Sequence, residues 1–375
     1  MKLKSLSEQV VVVIGASSGI GRAAALALAE RGATLMVSAR SEPGLISLVA
    51  EITAIGGDAA YKVCDVADYA QVEQVAAFAV ERFGRIDTWV NSAAVSVWAH
   101  FEQTTPSEYR RLMEVNYLGQ VYGALAALPR LRETGGGAVI SISSVESIVS
   151  LPNHAAYSAS KHAVEGAMDA LRRDLLAEGA PISVTSIKPA TINTPLFANS
   201  RSKLDVFPKG PPPFYQPGVV ADCVVYAAEH PVRDLFAGGS GRMMALNQFF
   251  SPRQMDLYLS KIGVRQERTS EKTPGGLSGN LDEPRLNDNR TQGDFSGRAR
   301  RFSLYTWLQT HPGVRTAAGS VLFAAPVVVR RLASQTARTQ AAVASSSTND
   351  SVTDHSVTDG SVTDAGSRLR IGRFR

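Results

Sequence analysis

Short apolar runs alternate with segments of helical periodicity along the first 250 residues of the chain. The first run, residues 10–14, is apolar at every position, which is typical of a strand buried on both faces. Several of the segments between the runs carry an apolar stripe, which predicts amphipathic helices. The predicted strands are residues 9–15, 34–39, 59–64, 86–90, 138–142, 182–187 and 240–246, and the predicted helices are residues 22–30, 44–55, 69–83, 106–128, 155–178 and 219–229.

This order of strands and helices predicts an α/β fold, because alternating strands and helices form βαβ units around a parallel sheet. We expect a Rossmann-type doubly wound parallel sheet with helices on both faces over residues 1–250. The prediction for residues 251–340 is an irregular, partly helical C-terminal extension, with a short helix at 254–262. Residues 341–375 include three copies of Ser-Val-Thr-Asp, a low-complexity pattern that predicts a disordered tail.

Composition and charge narrow the possible functions. The two cysteines, Cys64 and Cys223, offer neither a disulfide framework nor a metal-ligand spacing, so we expect no metal and a reducing, cytoplasmic location. The net charge of +5 collects in residues 251–375, with 18 Lys and Arg against 11 Asp and Glu, so the main domain gives no indication of nucleic-acid binding. The apolar run 317–329 is shorter than the ~18 residues of a membrane span. It could dock on the main domain, cover a partner or rest on a membrane surface.

A glycine-rich turn, Gly15-Ala16-Ser17-Ser18-Gly19-Ile20-Gly21, joins the first predicted strand to the first predicted helix. Glycines let the backbone approach a pyrophosphate, and the helix N-terminus supplies amide donors and a positive dipole. The flanking strand and helix favour phosphate binding over the alternative, a tight turn without a ligand.

Residues at the ends of the next strands suggest which dinucleotide binds. Arg40 follows the second strand, where a carboxylate would accept from a free ribose 2′-hydroxyl, and a guanidinium suits a 2′-phosphate. We therefore favour NADP over NAD, with a plain surface charge as the alternative. Asp65, which precedes Val66, could accept from the adenine amino group or cap the helix that starts near Asp68. The small residues of Asn91-Ser92-Ala93-Ala94 would let the backbone approach a ribose.

Tyr157 and Lys161 lie four residues apart on a predicted helix, so their side chains share one face. An ammonium beside a phenol favours the phenolate, and we expect the pKa of Tyr157 to fall into a range useful for proton transfer. Asn116 lies in a helical region, either bonded to the backbone or at a bend that lets water reach the site. We expect His154 to have a structural role at the start of the Tyr157 helix. The loops 145–154 and 196–218, with Trp98 and Phe101, are predicted to line the substrate pocket.

Together these residues resemble the short-chain dehydrogenase/reductase family over roughly residues 7–250. The resemblance implies an Asn-Ser-Tyr-Lys tetrad of Asn116, Ser144, Tyr157 and Lys161, and the family's spacing selects Ser144 over Ser143. In the implied roles Tyr157 is the general acid/base, Lys161 holds the nicotinamide ribose, Ser144 donates to the substrate oxygen and Asn116 supports a water relay. The implied cofactor contacts are Gly15, Ser17, Ser18, Gly19, Ile20, Gly21, Arg40, Asp65, Val66, Asn91, Ala93, Tyr157, Lys161, Pro189, Ile192 and Thr194.

The resemblance implies an NADP-dependent oxidoreductase that interconverts a carbonyl compound and an alcohol, and the lining residues suggest an apolar substrate. Family members often form homo-oligomers through the helices that carry Asn116 and Tyr157. One alternative is a non-catalytic dinucleotide-binding sensor or scaffold. The other is a membrane-surface reductase of lipid-like substrates that is anchored by its tail.

Overall fold

In the computed structural model, which describes residues 1–286 and 288–314, seven parallel strands form the central sheet. The first half of the chain contains β1 (Val10–Ile14), α1 (Gly19–Ala29), β2 (Thr34–Ala39), α2 (Glu42–Ala54), β3 (Ala59–Val63), α3 (Tyr69–Phe83), β4 (Thr88–Asn91) and β5 (Val97–Trp98). It continues with α4 (Pro106–Leu112), a π-helical turn (Met113–Leu118), α5 (Gly119–Glu133), β6 (Gly137–Ile142), α6 (Ala155–Ala177) and β7 (Ile182–Pro189). Short 3-10 turns span Leu6–Glu8, Phe101–Gln103 and Val145–Ser147.

The remaining elements complete the sheet and add the C-terminal part. They are α7 (Leu196–Asn199), β8 (Arg201–Ser202), β9 (Val206–Pro208), α8 (Gly218–Glu229), β10 (Asp234–Ala237), α9 (Gly239–Phe250), α10 (Pro252–Tyr258), a second π-helical turn (Leu259–Gly263), α11 (Val264–Gln266), β11 (Arg268–Lys272) and α12 (Leu304–Thr310). The strand order is β10-β7-β6-β4-β1-β2-β3, and all of these pairings are parallel.

The central strand β1 shows how the sheet separates two cores. Its side chains alternate, so that Val11 and Val13 join the core formed with α1, α2 and α8. Val12 and Ile14 join the core formed with α3, α5 and α6. Helices therefore cover both faces, and the predicted Rossmann-type doubly wound fold is confirmed.

Two stretches differ from the prediction. Residues 240–246 were expected to form a strand, but they lie inside α9, and the last strand of the sheet is β10. A short apolar run fits a helix as well as a strand, and here Gly238 (φ 105°) turns the chain into the helix. Residues 196–218, expected to be a loop, contain α7, β8 and β9. Their strand partners β5 and β11 are remote in sequence, so local pattern could not show the pairing.

The described residues of the C-terminal extension up to Pro312 pack against the rest of the chain. Residues Met1–Pro312 form one compact unit. The boundary that we predicted near residue 250 therefore lies inside this unit. Strand β11 pairs antiparallel with β9, and Thr306 of α12 accepts a hydrogen bond from the Gly238 amide at 2.9 Å. The apolar run 317–329 and the Ser-Val-Thr-Asp repeats lie outside the described residues. Within the described part of the chain, no helix is long and apolar enough to cross a membrane.

Candidate active site

A cleft runs along the carboxyl ends of the sheet strands, where open α/β sheets bind ligands. The glycine-rich turn, Arg40, Ser144, Tyr157 and Lys161 all line it. The other predicted contacts that line this cleft are Val66, Ala93, Pro189, Ile192 and Thr194. The structure thus brings together residues from most of the length of the predicted domain.

The first and last glycines of the glycine-rich turn are packed so closely that neither position has room for a side chain. Gly15 has φ 82°, and a Cβ atom there would lie 2.4 Å from the Ala93 amide nitrogen. A Cβ atom on Gly21 would lie 2.2 Å from the Gly15 carbonyl oxygen. Helix α1 therefore begins directly at the cleft. Its first amide, that of Gly19, donates to the Arg290 carbonyl, so the amides of Ile20 and Gly21 are the ones available for a phosphate.

Tyr157, Lys161 and Ser144 line one end of the cleft, the candidate catalytic end. Helix α6 holds the first two one turn apart, and the Lys161 Nζ atom lies 5.5 Å from the Tyr157 ring centre. Lys161 Nζ also donates to the Ile142 carbonyl oxygen at 2.9 Å, which fixes the amine against the end of β6. Ser144 Oγ accepts from the Glu146 amide at 3.0 Å. The neighbouring Ser143 hydroxyl is buried and has no hydrogen-bond partner among the described residues.

Burial dominates the ionisation of this pair. It raises the pKa of Tyr157 above its ordinary value, the Glu146 carboxylate raises it further, and a hydrogen bond with Ser144 lowers it. Burial lowers the pKa of Lys161 to about 8, although Glu146 and Glu165 act in the opposite direction. The expectation that the ammonium lowers the pKa of Tyr157 is therefore wrong for this pocket. A Tyr157 phenol that stays protonated at neutral pH is suited to proton donation.

His154 is a site residue whose place the sequence did not indicate. Its ring lies in a stack between Trp98 and Tyr157, with centroid distances of 4.0 Å and 4.4 Å. Its Nδ1 atom is 2.9 Å from the Glu146 Oε2 atom, and its Nε2 atom is 2.5 Å from Ser96 Oγ. His154 precedes the first residue of α6, as expected, but its side chain makes no capping hydrogen bond and packs on the Tyr157 ring. No local motif signals this, because its partners come from three separate segments.

Asn116 bonds to the backbone, as one of the two alternatives expected, and the water relay of the other alternative stays a prediction. Asn116 lies in the π-helical turn between α4 and α5, so the helix is irregular at this position. Its amide is fully used by the protein: Oδ1 accepts from the Val95 amide at 2.8 Å, and Nδ2 donates to the Val95 carbonyl at 3.0 Å and to Ser160 Oγ at 3.1 Å. Asn116 thus joins α6 to the segment after β4 and lies behind the cleft wall.

At the adenosine end, Asp65 is bound to other parts of the chain. Its Oδ1 atom accepts from the Ala67 amide at 3.0 Å, and its Oδ2 atom accepts from Arg111 at 2.6 Å. Burial raises the pKa of Asp65, but the hydrogen bonds from the Ala67 amide and Arg111 outweigh burial. The pKa of Asp65 is therefore below its ordinary value. Asp68, rather than Asp65, caps α3 through the Ala70 and Gln71 amides. The helix-capping alternative for Asp65 was therefore wrong, and its contact with the adenine amino group stays a prediction.

Asn91 is buried below the cleft rather than in it. Its Oδ1 atom accepts from the Trp89 indole at 2.9 Å, and its Nδ2 atom donates to the Gln120 carbonyl at 3.2 Å. The small residues that follow it do line the cleft. On the substrate side, Trp98 lines the cleft with Leu151 and Phe197, whereas Phe101 is 75% exposed and packs on Tyr109 outside it. The expectation for Phe101 was wrong.

Arg40 lines the cleft, but its guanidinium already has partners. Its Nη2 atom donates to the Asn280 carbonyl at 2.6 Å, and its Nη1 atom donates to the Asp282 carbonyl at 2.8 Å. Both acceptors belong to the C-terminal extension. The segment that contacts this predicted cofactor residue was missed because it lies far away in sequence.

Comparisons with known proteins agree with this geometry. Residues 9–205 match the family model described as short chain dehydrogenase. An uncharacterized oxidoreductase of Bacillus subtilis, YxnA, is 35% identical over 336 residues, which is 87% of this chain and 92% of that protein. An uncharacterized oxidoreductase of Methylorubrum extorquens is 40% identical over 195 residues, 51% of this chain and 76% of that protein.

Two solved structures are similar in fold. An alcohol dehydrogenase from the archaeon Thermococcus sibiricus, complexed with 5-hydroxy-NADP, has a TM-score of 0.53 and 27% identity. The match covers 61% of this chain and 95% of that one. A short chain dehydrogenase from Mycobacterium paratuberculosis, bound to NAD, has a TM-score of 0.55 and 25% identity, covering 62% and 97%. The two neighbours thus carry different dinucleotides.

Proposed function

This chain belongs to the short-chain dehydrogenase family, and on that premise we propose that it interconverts a carbonyl compound and an alcohol by hydride transfer with NADP. It is an oxidoreductase of a family whose solved members bind NADP or NAD. The observation that supports the proposal best is that Ser144, Tyr157 and Lys161 line the same cleft as the glycine-rich turn. No other cluster in the described residues combines a phosphate cradle with a buried acid and amine.

The cofactor would supply the hydride, and the residues of the chain would manage the proton and the charge. The amides at the start of α1 would hold the pyrophosphate. Tyr157 would donate its phenolic proton to the carbonyl oxygen in reduction and accept it in oxidation. The Ser144 hydroxyl would stabilise negative charge on that oxygen. Lys161, fixed by the Ile142 carbonyl, would bind the nicotinamide ribose.

Arg40 supports the preference for NADP over NAD. It is the first residue after β2, and neither Ser38 nor Ala39 offers the carboxylate that a free 2′-hydroxyl would need. A guanidinium is suited to a 2′-phosphate by charge and by geometry. The substrate would be apolar, because Trp98, Leu151 and Phe197 line its end of the cleft.

The proposal is tested by following NADPH consumption with a panel of ketones and aldehydes, comparing the wild type with Tyr157→Phe. Loss of the phenolic proton should lower kcat by about 10²–10⁴-fold while NADPH binding stays unchanged. Tyr226→Phe, on α8 and outside the cleft, is the matched control and should retain full activity. Equal rates for wild type and Tyr157→Phe on every reduced substrate would refute the assigned role.

A further inference from the structure

Part of the C-terminal extension crosses the adenosine end of the cleft between two anchors. We call residues 279–286 and 288–290 the strap. At the first anchor, the carbonyls of Asn280 and Asp282 accept from Arg40, and the Leu281 carbonyl accepts from Arg111 at 3.2 Å. At this anchor the Leu281 side chain is buried in the core formed with α3, α5 and α6. The backbone of the strap is thus bound to Arg40, which follows β2, and the Leu281 side chain is bound in the α3/α5/α6 core.

The second anchor is the glycine-rich turn itself. The Gly19 amide donates to the Arg290 carbonyl oxygen at 2.9 Å. Just before it, Asn289 packs so closely on α2 that a Cβ atom on Gly44 would lie 2.7 Å from the Asn289 Oδ1 atom. The strap therefore spans from the end of β2 to the start of α1. Dinucleotide folds place the adenosine ribose between these two points.

Among the arginines of the strap and of the chain segments that it contacts, Arg285 has no protein partner within the described residues. Arg40 donates to strap carbonyls, Arg111 pairs with Asp65 at 2.6 Å, and Arg290 pairs with Asp288 and Asp294, each at 2.8 Å. Arg285 lies between the anchors and lines the cleft, and within the described residues its side chain has neither a hydrogen bond nor an ion pair. An arginine without a protein partner beside a phosphate-binding turn is available to an anionic ligand.

A second observation indicates that a ligand belongs at this place. Asn280 also lines the cleft, and its side-chain Oδ1 atom is buried without a hydrogen-bond partner. A buried acceptor without a donor is unfavourable unless a donor reaches it. The hydroxyls and the amino group of an adenosine are donors of the required kind.

We propose that the strap forms the outer wall of the adenosine site and that Arg285 is a specificity-determining residue, whose guanidinium binds the ribose 2′-phosphate opposite Arg40. The inference rests on the proposed preference for NADP and adds a residue from outside the common dinucleotide fold. Arg40, which donates to the carbonyls of Asn280 and Asp282 and, at 3.5 Å, of Leu281, would set the position of the strap and form one side of the phosphate site. Arg285 supplies a planar guanidinium whose N–H groups have no protein acceptor and can donate to two phosphate oxygens.

The test uses two probes that differ only in the 2′-phosphate, adenosine 2′,5′-bisphosphate and adenosine 5′-monophosphate. Their binding to the full-length protein is measured by calorimetry, without any turnover. Arg285→Gln should bind the bisphosphate about tenfold more weakly than the wild type, as for the loss of one charge-assisted contact, and the monophosphate equally well. Arg285→Lys should recover part of the loss. Arg298→Ala, an exposed arginine of the same extension, is the matched control.

The outcomes separate the two claims. If the wild type prefers the bisphosphate and Arg285→Gln shows the same preference, the role of Arg285 is refuted and the NADP proposal stands. If Arg285→Gln weakens both probes equally, the residue does not read the 2′-phosphate, and the inference is again overturned. If the wild type binds both probes equally, the preference for NADP is wrong and the inference fails with it.

Discussion

The two ends of the cleft are built from different parts of the chain. At the catalytic end, Ser144, Tyr157 and Lys161 come from one strand–helix unit, β6 to α6, and neighbouring turns set their spacing. At the adenosine end, Arg40 meets strap carbonyls that lie about 240 residues further along the chain. Local sequence thus sets the spacing of the candidate catalytic residues, whereas the wall at the other end of the cleft depends on long-range packing. Mutations at each end should have correspondingly different consequences.

The largest effect is expected at the catalytic end, for Lys161→Met. Removal of the buried amine should lower carbonyl reduction by about 10²-fold or more. The same change should stabilise the fold at neutral pH. Burial lowers the pKa of Lys161 to about 8, so the unfolded chain, with its ordinary value near 10.5, binds this proton more tightly. The free energy of unfolding should therefore rise with pH between about 8 and 10.5.

Urea unfolding checks this second part. Below about pH 8 the charged amine costs up to about 3 kcal/mol, which methionine avoids. The variant should exceed the wild type in stability at about pH 7, and the gain should disappear at about pH 11. Lys272→Met, on the exposed strand β11, should show no such gain. A variant that is less stable than the wild type at neutral pH would contradict the assignment of burial as the dominant cause.

The next effect concerns the anchoring of the strap. Leu281→Ala should lower the free energy of unfolding by about 3 kcal/mol, because its side chain is 1% exposed within the α3/α5/α6 core. Leu286→Ala changes the same residue type at 49% exposure in the same strap and should alter stability by less than about 0.5 kcal/mol. The denaturant midpoints of the two variants, compared with that of the wild type, measure these changes in stability. Similar small effects for both would mean that the strap is not held by the core.

A smaller, pH-dependent effect is expected for Glu267→Gln, also in the extension. Glu267 is fully buried; Asn153 donates to its Oε2 atom at 3.1 Å, and its Oε1 atom has no partner among the described residues. Burial raises its pKa to about 8, the Asn153 hydrogen bond lowers it and Glu146 raises it. Between about pH 4.5 and 8 the folded protein binds more protons than the unfolded chain, so stability should fall as pH rises.

Thermal or urea unfolding across this range provides the measurement. Glutamine is neutral throughout, so the variant should be more stable than the wild type by more than about 1 kcal/mol at about pH 9 and equally stable at about pH 5. Glu271→Gln, exposed on β11, serves as the reference and should follow the wild type. A gain of the same size at both pH values would show that a packing change, and not proton binding, is responsible.

The comparison also explains which features the sequence could predict. Helix α3 has the bounds expected, because Asp68 caps its start and Gly84, with φ 80°, ends it, and both signals are local. The order of strands and helices gave the fold for the same reason. Residues 240–246 were misassigned because a short apolar run carries no clear period.

At the site, short-range spacing together with the family resemblance singled out Tyr157, Lys161 and the glycine-rich turn, and all of them line the cleft. The stack of His154 on Tyr157 was not, since Trp98 and Glu146 reach it from other segments. The direction of the Tyr157 pKa shift was also missed, because burial is a property of the whole fold and outweighs a neighbour four residues away. The strap was beyond prediction because no local pattern marks its contact with Arg40.

The hydrogen bond between Gly19 and Arg290 affects the order in which parts of the site can form during synthesis of the chain. Its two partners are separated by about 270 residues of translation, which takes on the order of tens of seconds at ordinary ribosome speeds. The glycine-rich turn therefore leaves the ribosome early, before the strap has been synthesised. A nascent chain can build most of the sheet before it can enclose a nucleotide, so high-affinity binding should appear only late in synthesis.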